Sequence, residues 1–125
     1  MKLFLSLFLS MLLLSGSVTR ADTLSGVLYG GPTQTHVVCY LFNAGPGNVS
    51  VTAKTIADES AEITQYGTSC GTTLGVGKTC WFGAYIVNNR AHSCRAVLSP
   101  SGDNVRGSID VRDVDMKVLV QSQLR

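Results

Sequence analysis

Charge is scarce in this chain, and no apolar run is long enough to cross a membrane. Only 14% of its 125 residues are charged, and the formal net charge is +2. Lys2 and Arg20 account for that excess; the rest of the chain is formally neutral. A neutral domain exerts no general pull on nucleic acid or on an anionic membrane, so neither is expected as a partner. The main apolar run, Leu3 to Leu14 interrupted by Ser6 and Ser10, falls short of the about 20 residues a bilayer span requires. No membrane insertion of the mature chain is therefore expected. Leu14-Ser15-Gly16-Ser17 follows the bacterial lipoprotein cleavage box, but Ser17 stands where that box needs cysteine. Lipid attachment there is excluded. Good amphipathic helices are also missing from the remainder.

What the amino terminus does have is a positive Lys2, a short greasy core and a small, polar stretch from Ser15 to Ala21. That order describes a cleaved secretory signal. Cleavage after Ala21 divides the chain into a signal peptide, 1–21, and one domain, 22–125; cleavage after Ser17 is the competing choice. About 100 residues make one domain with one modest core. A secreted or periplasmic location is expected, where disulfides form and persist.

Past the signal, Gly and polar residues interrupt the chain about every 8 to 12 residues, and Val, Ile, Thr, Tyr and Phe fill the gaps. That rhythm predicts a sandwich of about seven or eight short strands. The candidates are Thr23–Tyr29, His36–Asn43, Val49–Ile56, Ile63–Tyr66, Cys80–Val87, Cys94–Ser99, Val105–Val111 and Val114–Gln121. His36–Phe42 and Trp81–Val87 are apolar on both parities, which places them centrally in a sheet. Val49, Val51 and Ala53 alternate with Ser50, Thr52 and Lys54, which predicts one buried and one wet face. Asn43-Ala44-Gly45-Pro46-Gly47-Asn48 is a turn joining consecutive strands. Ile109 and Val111 are apolar at odd positions, but Val114, Met116, Val118 and Val120 at even ones. A period-2 strand changes parity only with an extra residue, so a bulge or tight bend is predicted at Arg112-Asp113. Ala57–Glu62 forms a single helical turn at most and reads as a solvated connection. The apolar terminal segment Val114–Leu124 is a candidate for strand exchange with another chain.

Four cysteines allow three pairings, and their spacing alone does not choose. Cys70 and Cys80 flank Gly71 to Thr79, a segment whose turn glycines let it fold back on itself. That favours a Cys70–Cys80 bridge and leaves Cys39 for Cys94. His36-x-x-Cys39 and His92-x-Cys94 superficially suggest a zinc site. On a strand, however, His36 and Cys39 point to opposite faces, and oxidised cysteines are no ligands. No metal and no cofactor are expected.

Several motifs imitate catalysis. Gly67-Thr68-Ser69-Cys70-Gly71 spells G-x-S-x-G, but the hydrolase elbow requires a following helix and a large α/β sheet. Gly77-Lys78-Thr79 resembles the end of a phosphate loop, but Thr72 stands where its first glycine belongs. Asn48-Val49-Ser50 is a glycosylation triplet if the source is eukaryotic. Arg90, Arg95, Arg106 and Arg112 read as solvated surface or cross-strand pairs. No catalytic residue is assigned, and the chain is not expected to be an enzyme. Trp81-Phe82 with Tyr85 is the densest aromatic cluster. Alternating aromatics commonly fill a core; on an outer face, Trp81 and Tyr85 share parity and present one flat binding patch.

The succession Asn43-Ala44-Gly45, a strand, Cys70, and then Leu74-Gly75-Val76-Gly77-Lys78-Thr79-Cys80 resembles immunoglobulin-like β-sandwich domains of bacterial secreted and surface proteins, the Hydin-like group among them. The likeness spans Cys39 to Phe82 and departs at Trp81-Phe82-Gly83-Ala84, where such domains carry an aromatic-x-Pro. It implies an immunoglobulin-like sandwich with a cysteine-bracketed hairpin, and adhesion, assembly or scaffold roles. The expectation is a small secreted, non-enzymatic binding or structural module, its partner a protein or a cell-surface glycan. A secreted enzyme inhibitor presenting the bridged 71–79 loop is the alternative.

Overall fold

The computed structural model describes residues 22–125, so the predicted signal at 1–21 lies outside the described residues. Nine strands and no helix occupy them: β1 (Asp22–Leu28), β2 (His36–Asn43), β3 (Val49–Ala57), β4 (Gln65–Thr68), β5 (Thr73–Leu74), β6 (Thr79–Tyr85), β7 (His92–Ser99), β8 (Val105–Arg112) and β9 (Val118–Leu124). They form two antiparallel sheets in the orders β1-β7-β3-β5 and β4-β6-β2-β8-β9. The all-β sandwich expected from the strand rhythm is what forms.

Inward residues of both sheets make one core. Val37, Cys39 and Leu41 of β2 meet Phe82 and Ala84 of β6, Ile109 and Val111 of β8, and Cys94, Ala96 and Leu98 of β7. Strands β2 and β6 occupy the middle of the five-stranded sheet, as their two-sided apolar pattern predicts. Both expected disulfides are present. Cys39–Cys94 ties the centre of one sheet to the other with Cα atoms 6.0 Å apart; Cys70–Cys80 joins the segment after β4 to β6 at 4.9 Å. Closing loops with separations of 55 and 10 residues stabilises the fold by about 4 and about 3 kcal/mol in the loop-entropy estimate.

The open corner between the sheets is closed by the carboxy terminus. Ser25 of β1 and Arg125 exchange both backbone hydrogen bonds, at 3.0 and 2.9 Å. Leu124, 5% exposed, lies over Gly26 and Gly107; a Cβ at either glycine would stand 3.0 or 2.9 Å from its methyl carbons. Strand β9, the segment singled out for exchange, is paired with β8 of the same chain.

Local irregularities account for the departures from expectation. The alternation predicted for Val49–Ile56 breaks at Thr52, an extra residue between Val51 and Ala53. Past it the faces swap, so Ala53 is exposed and Ile56 is buried. Lys54 turns its ammonium to the Cys70 carbonyl at 3.0 Å. No helical turn forms at Ala57–Glu62. Asp58 caps that connection instead, accepting N–H bonds from Ser60 and Ala61. Those bonds hold its carboxyl well below the usual carboxylate range. The segment 71–79 does not fold back as a simple hairpin: Thr73 and Leu74 cross to pair with β3, and Gly77 and Lys78 bond to Asn43. Buried Asn43 fixes this crossing through the carbonyls of Gly47 and Leu74 and the N–H of Gly45. Val114 to Lys117 is a turn rather than the start of a strand, closed by the Met116 N–H on the Asp113 carbonyl at 3.0 Å. The register shift beside it lies between Val111 and Arg112. Its extra residue is Leu119 of β9, so the bulge sits on β9 and the bend expected at Arg112-Asp113 is the turn that Asp113 opens.

Candidate functional site

The outer face of the five-stranded sheet carries a cluster of aromatic side chains. On β6, inward Cys80, Phe82 and Ala84 alternate with outward Trp81, Gly83 and Tyr85. Tyr85 is 60% exposed, and Trp81 is half-buried. Register pairs put His36 beside Tyr85 and Tyr40 beside Trp81.

A third ring completes the row through a backbone irregularity. Gln65 pairs with Ala84 and Gly67 with Gly83, which leaves Tyr66 as the extra residue of a bulge on β4. Bulges re-aim side chains. Here the bulge sends Tyr66 onto the outer face above Gly83, where an added Cβ would meet the phenol oxygen at 2.9 Å. Gly67 in turn lies under Trp81, whose Cη2 would stand 3.0 Å from an added Cβ. The two glycines leave room for two large rings to approach the strands closely. Tyr66 then stands 4.7 Å from Tyr85 at an interplanar angle of 34°, and 6.0 Å from Trp81 at 39°. His36 closes the end, 5.1 Å from Tyr85 and edge-on to Tyr66 at 6.1 Å.

Beside this strip runs a groove of about 200 Å³, lined by Val38, Tyr40, Tyr66, Trp81, Arg112 and Met116. Arg112 is held there by Asp110 at 2.8 Å and by the Tyr40 hydroxyl at 3.0 Å. The carboxylate partner raises the guanidinium further above its ordinary value. Of the two expectations for it, solvated surface or a cross-strand pair, an ion pair forms, but with Asp110 of the same strand. Arg112 Nε and Asp110 Oδ1 are buried and have no hydrogen-bond partner. Partial burial, with Tyr85 next, pushes the Tyr66 phenol above its ordinary 10.0. Met116 reaches the groove from the β8–β9 turn with φ at 63°, the left-handed region that side chains rarely adopt.

Of the residues singled out in the sequence, Trp81 and Tyr85 therefore come together on one outer face, and neither fills the core. Tyr66, His36, Tyr40 and Met116 were missed. Tyr66 carries no alternation signal because it sits in a bulge. The cue available for it was the pair Gly67 and Gly83, side-chain-free positions next to large aromatics. The other candidates are engaged in holding the fold. Ser69 accepts the Trp81 N–H on its hydroxyl at 2.9 Å and donates its own N–H to the Trp81 carbonyl at 2.8 Å. His92 is buried on the Arg90 carbonyl, while His36 and Cys39 face opposite sides of β2. All four cysteines are oxidised. Among the described residues no cluster of three His, Cys, Asp or Glu side chains could hold a metal, and no helix is long and apolar enough to cross a membrane. The 71–79 loop exposes Val76 at its tip but buries Leu74.

No family model, curated protein or solved structure matches the chain.

Proposed function

We propose that this chain is a secreted or periplasmic, non-enzymatic binding module that engages its partner through the outer aromatic face of the five-stranded sheet. The observation that carries this reading is the row of Trp81, Tyr66 and Tyr85 on an outer sheet face, with Tyr66 and Tyr85 exposed and Trp81 half-buried, although the same rings would stabilise a core. Large aromatics held on a strand supply contact area at little cost in conformational entropy, and such residues dominate binding hot spots. Two disulfides support an oxidising compartment, as do the signal-like residues 1–21. The spacing of Asn43-Ala44-Gly45 and of Leu74 to Cys80 supports kinship with immunoglobulin-like modules of bacterial secreted proteins, for which adhesion or assembly is the expected role.

Replacing Trp81 and Tyr85 together by alanine tests the reading. Both side chains face outward, so the double variant is expected to keep the wild-type circular dichroism spectrum and to lose capture of the partner from the native host. Capture at wild-type strength would remove this face from consideration.

A further inference from the structure

We infer that the groove beside the aromatic strip holds one ring of a neutral carbohydrate, stacked against Trp81 and Tyr66 and bounded by Met116. This rests on the binding-face reading and adds to it the class of ligand.

Two separate departures from regular sheet geometry deliver side chains to the same place. The β4 bulge turns Tyr66 onto the face, and the left-handed conformation of Met116 brings a long side chain to the groove from the opposite end. Glycine or asparagine ordinarily occupies such a turn position, because other side chains crowd the backbone there. Backbone strain of this kind concentrates at ligand sites. Gly67 and Gly83 add the complementary feature, absent side chains where the Trp81 and Tyr66 rings approach the strands.

The chemistry of the groove selects among ligands. Its walls are apolar and aromatic, suited to the C–H faces of a pyranose. Its polar group is Arg112, immobilised by Asp110 and Tyr40. The guanidinium repels a cationic ligand, and the carboxylate beside it cancels the attraction for an anion. A neutral, hydroxyl-bearing ring meets neither penalty and finds fixed donors and acceptors around an aromatic wall. A peptide added as an extra strand requires a free sheet edge, whereas this groove lies on a sheet face between β6 and β8. Net neutrality of the domain outside Lys2 and Arg20 agrees with an uncharged ligand.

The test uses the full chain, exported with its own leader and oxidised. Maltohexaose, cellohexaose, chitohexaose and mannohexaose are titrated by calorimetry and by the emission of Trp81, the one tryptophan in the chain. Heparin and polygalacturonate serve as charged comparisons. The expected result is binding of at least one neutral oligosaccharide with a shift in Trp81 emission. Tyr66→Ala and Met116→Gly, each with an unaltered circular dichroism spectrum, should weaken that binding about tenfold or more. Binding confined to the charged polymers would overturn the inference. So would neutral-sugar binding that both variants leave untouched. Silence toward all four neutral sugars would also overturn it; if Trp81→Ala/Tyr85→Ala still abolished capture of a protein partner, the binding face would stand and only the carbohydrate would fall.

Discussion

Met116 is the residue whose conformation is hardest to explain by folding alone. Its φ of 63° closes a turn in which the Asp113 carboxylate already accepts the N–H groups of Asp115 and Lys117. Glycine would satisfy the same geometry without the clash between Cβ and backbone, which costs roughly 1 kcal/mol or more. Met116→Gly is therefore expected to raise stability slightly, by up to about 1 kcal/mol, partly offset by the greater freedom of glycine in the unfolded chain. Thermal unfolding checks this; a variant destabilised by more than about 1 kcal/mol would show that Met116 serves the fold. Arg112 illustrates the opposite lesson. In the sequence it is one of several scattered arginines, and only the register with β2 reveals that Tyr40 and Asp110 pin it. Parity places a side chain on a face. It does not say which neighbours that face will have.

At the scale of elements, the strands that lie in the middle of the sheet were the legible ones. Apolar residues on both parities of His36–Phe42 and Trp81–Val87 can only be buried on one face and covered or functional on the other, and β2 and β6 are central. The parity change from Val111 to Val114 announced the β8–β9 turn. What stayed illegible were the irregular elements. Thr73–Leu74 is too short to carry a period, and the β3 and β4 bulges each insert a residue that resets the alternation. The aromatic strip depends on one of those bulges, so the sequence revealed Trp81 and Tyr85 but not the ring between them. Gly83 gives the element-scale test. Gly83→Ala leaves the ladder intact but puts a methyl 2.9 Å from the Tyr66 hydroxyl and 3.0 Å from its Cζ. The ring is expected to lift off the strand, losing its contact with Tyr85 in nuclear Overhauser spectra while the β2–β6 contacts persist. An undisturbed Tyr66–Tyr85 contact would mean that the glycine is not what lets the ring approach the strand.

For the whole molecule, two sheets, one inter-sheet disulfide and a carboxy terminus laced to β1 produce a rigid slab. Its inner faces are spent on the core, and its seam is closed by Leu124 over Gly26 and Gly107. The two outer faces differ. One bears the aromatic strip and its groove; the other bears Arg95 on the central strand β7, exposed to solvent. A photoreactive side chain placed at position 85 and, in a second protein, at position 95 compares those faces directly in the presence of native host material. Irradiation is expected to yield a discrete adduct from position 85 and none from position 95. Adducts from position 95 alone, or equal labelling from both, would contradict a binding module built on the aromatic face.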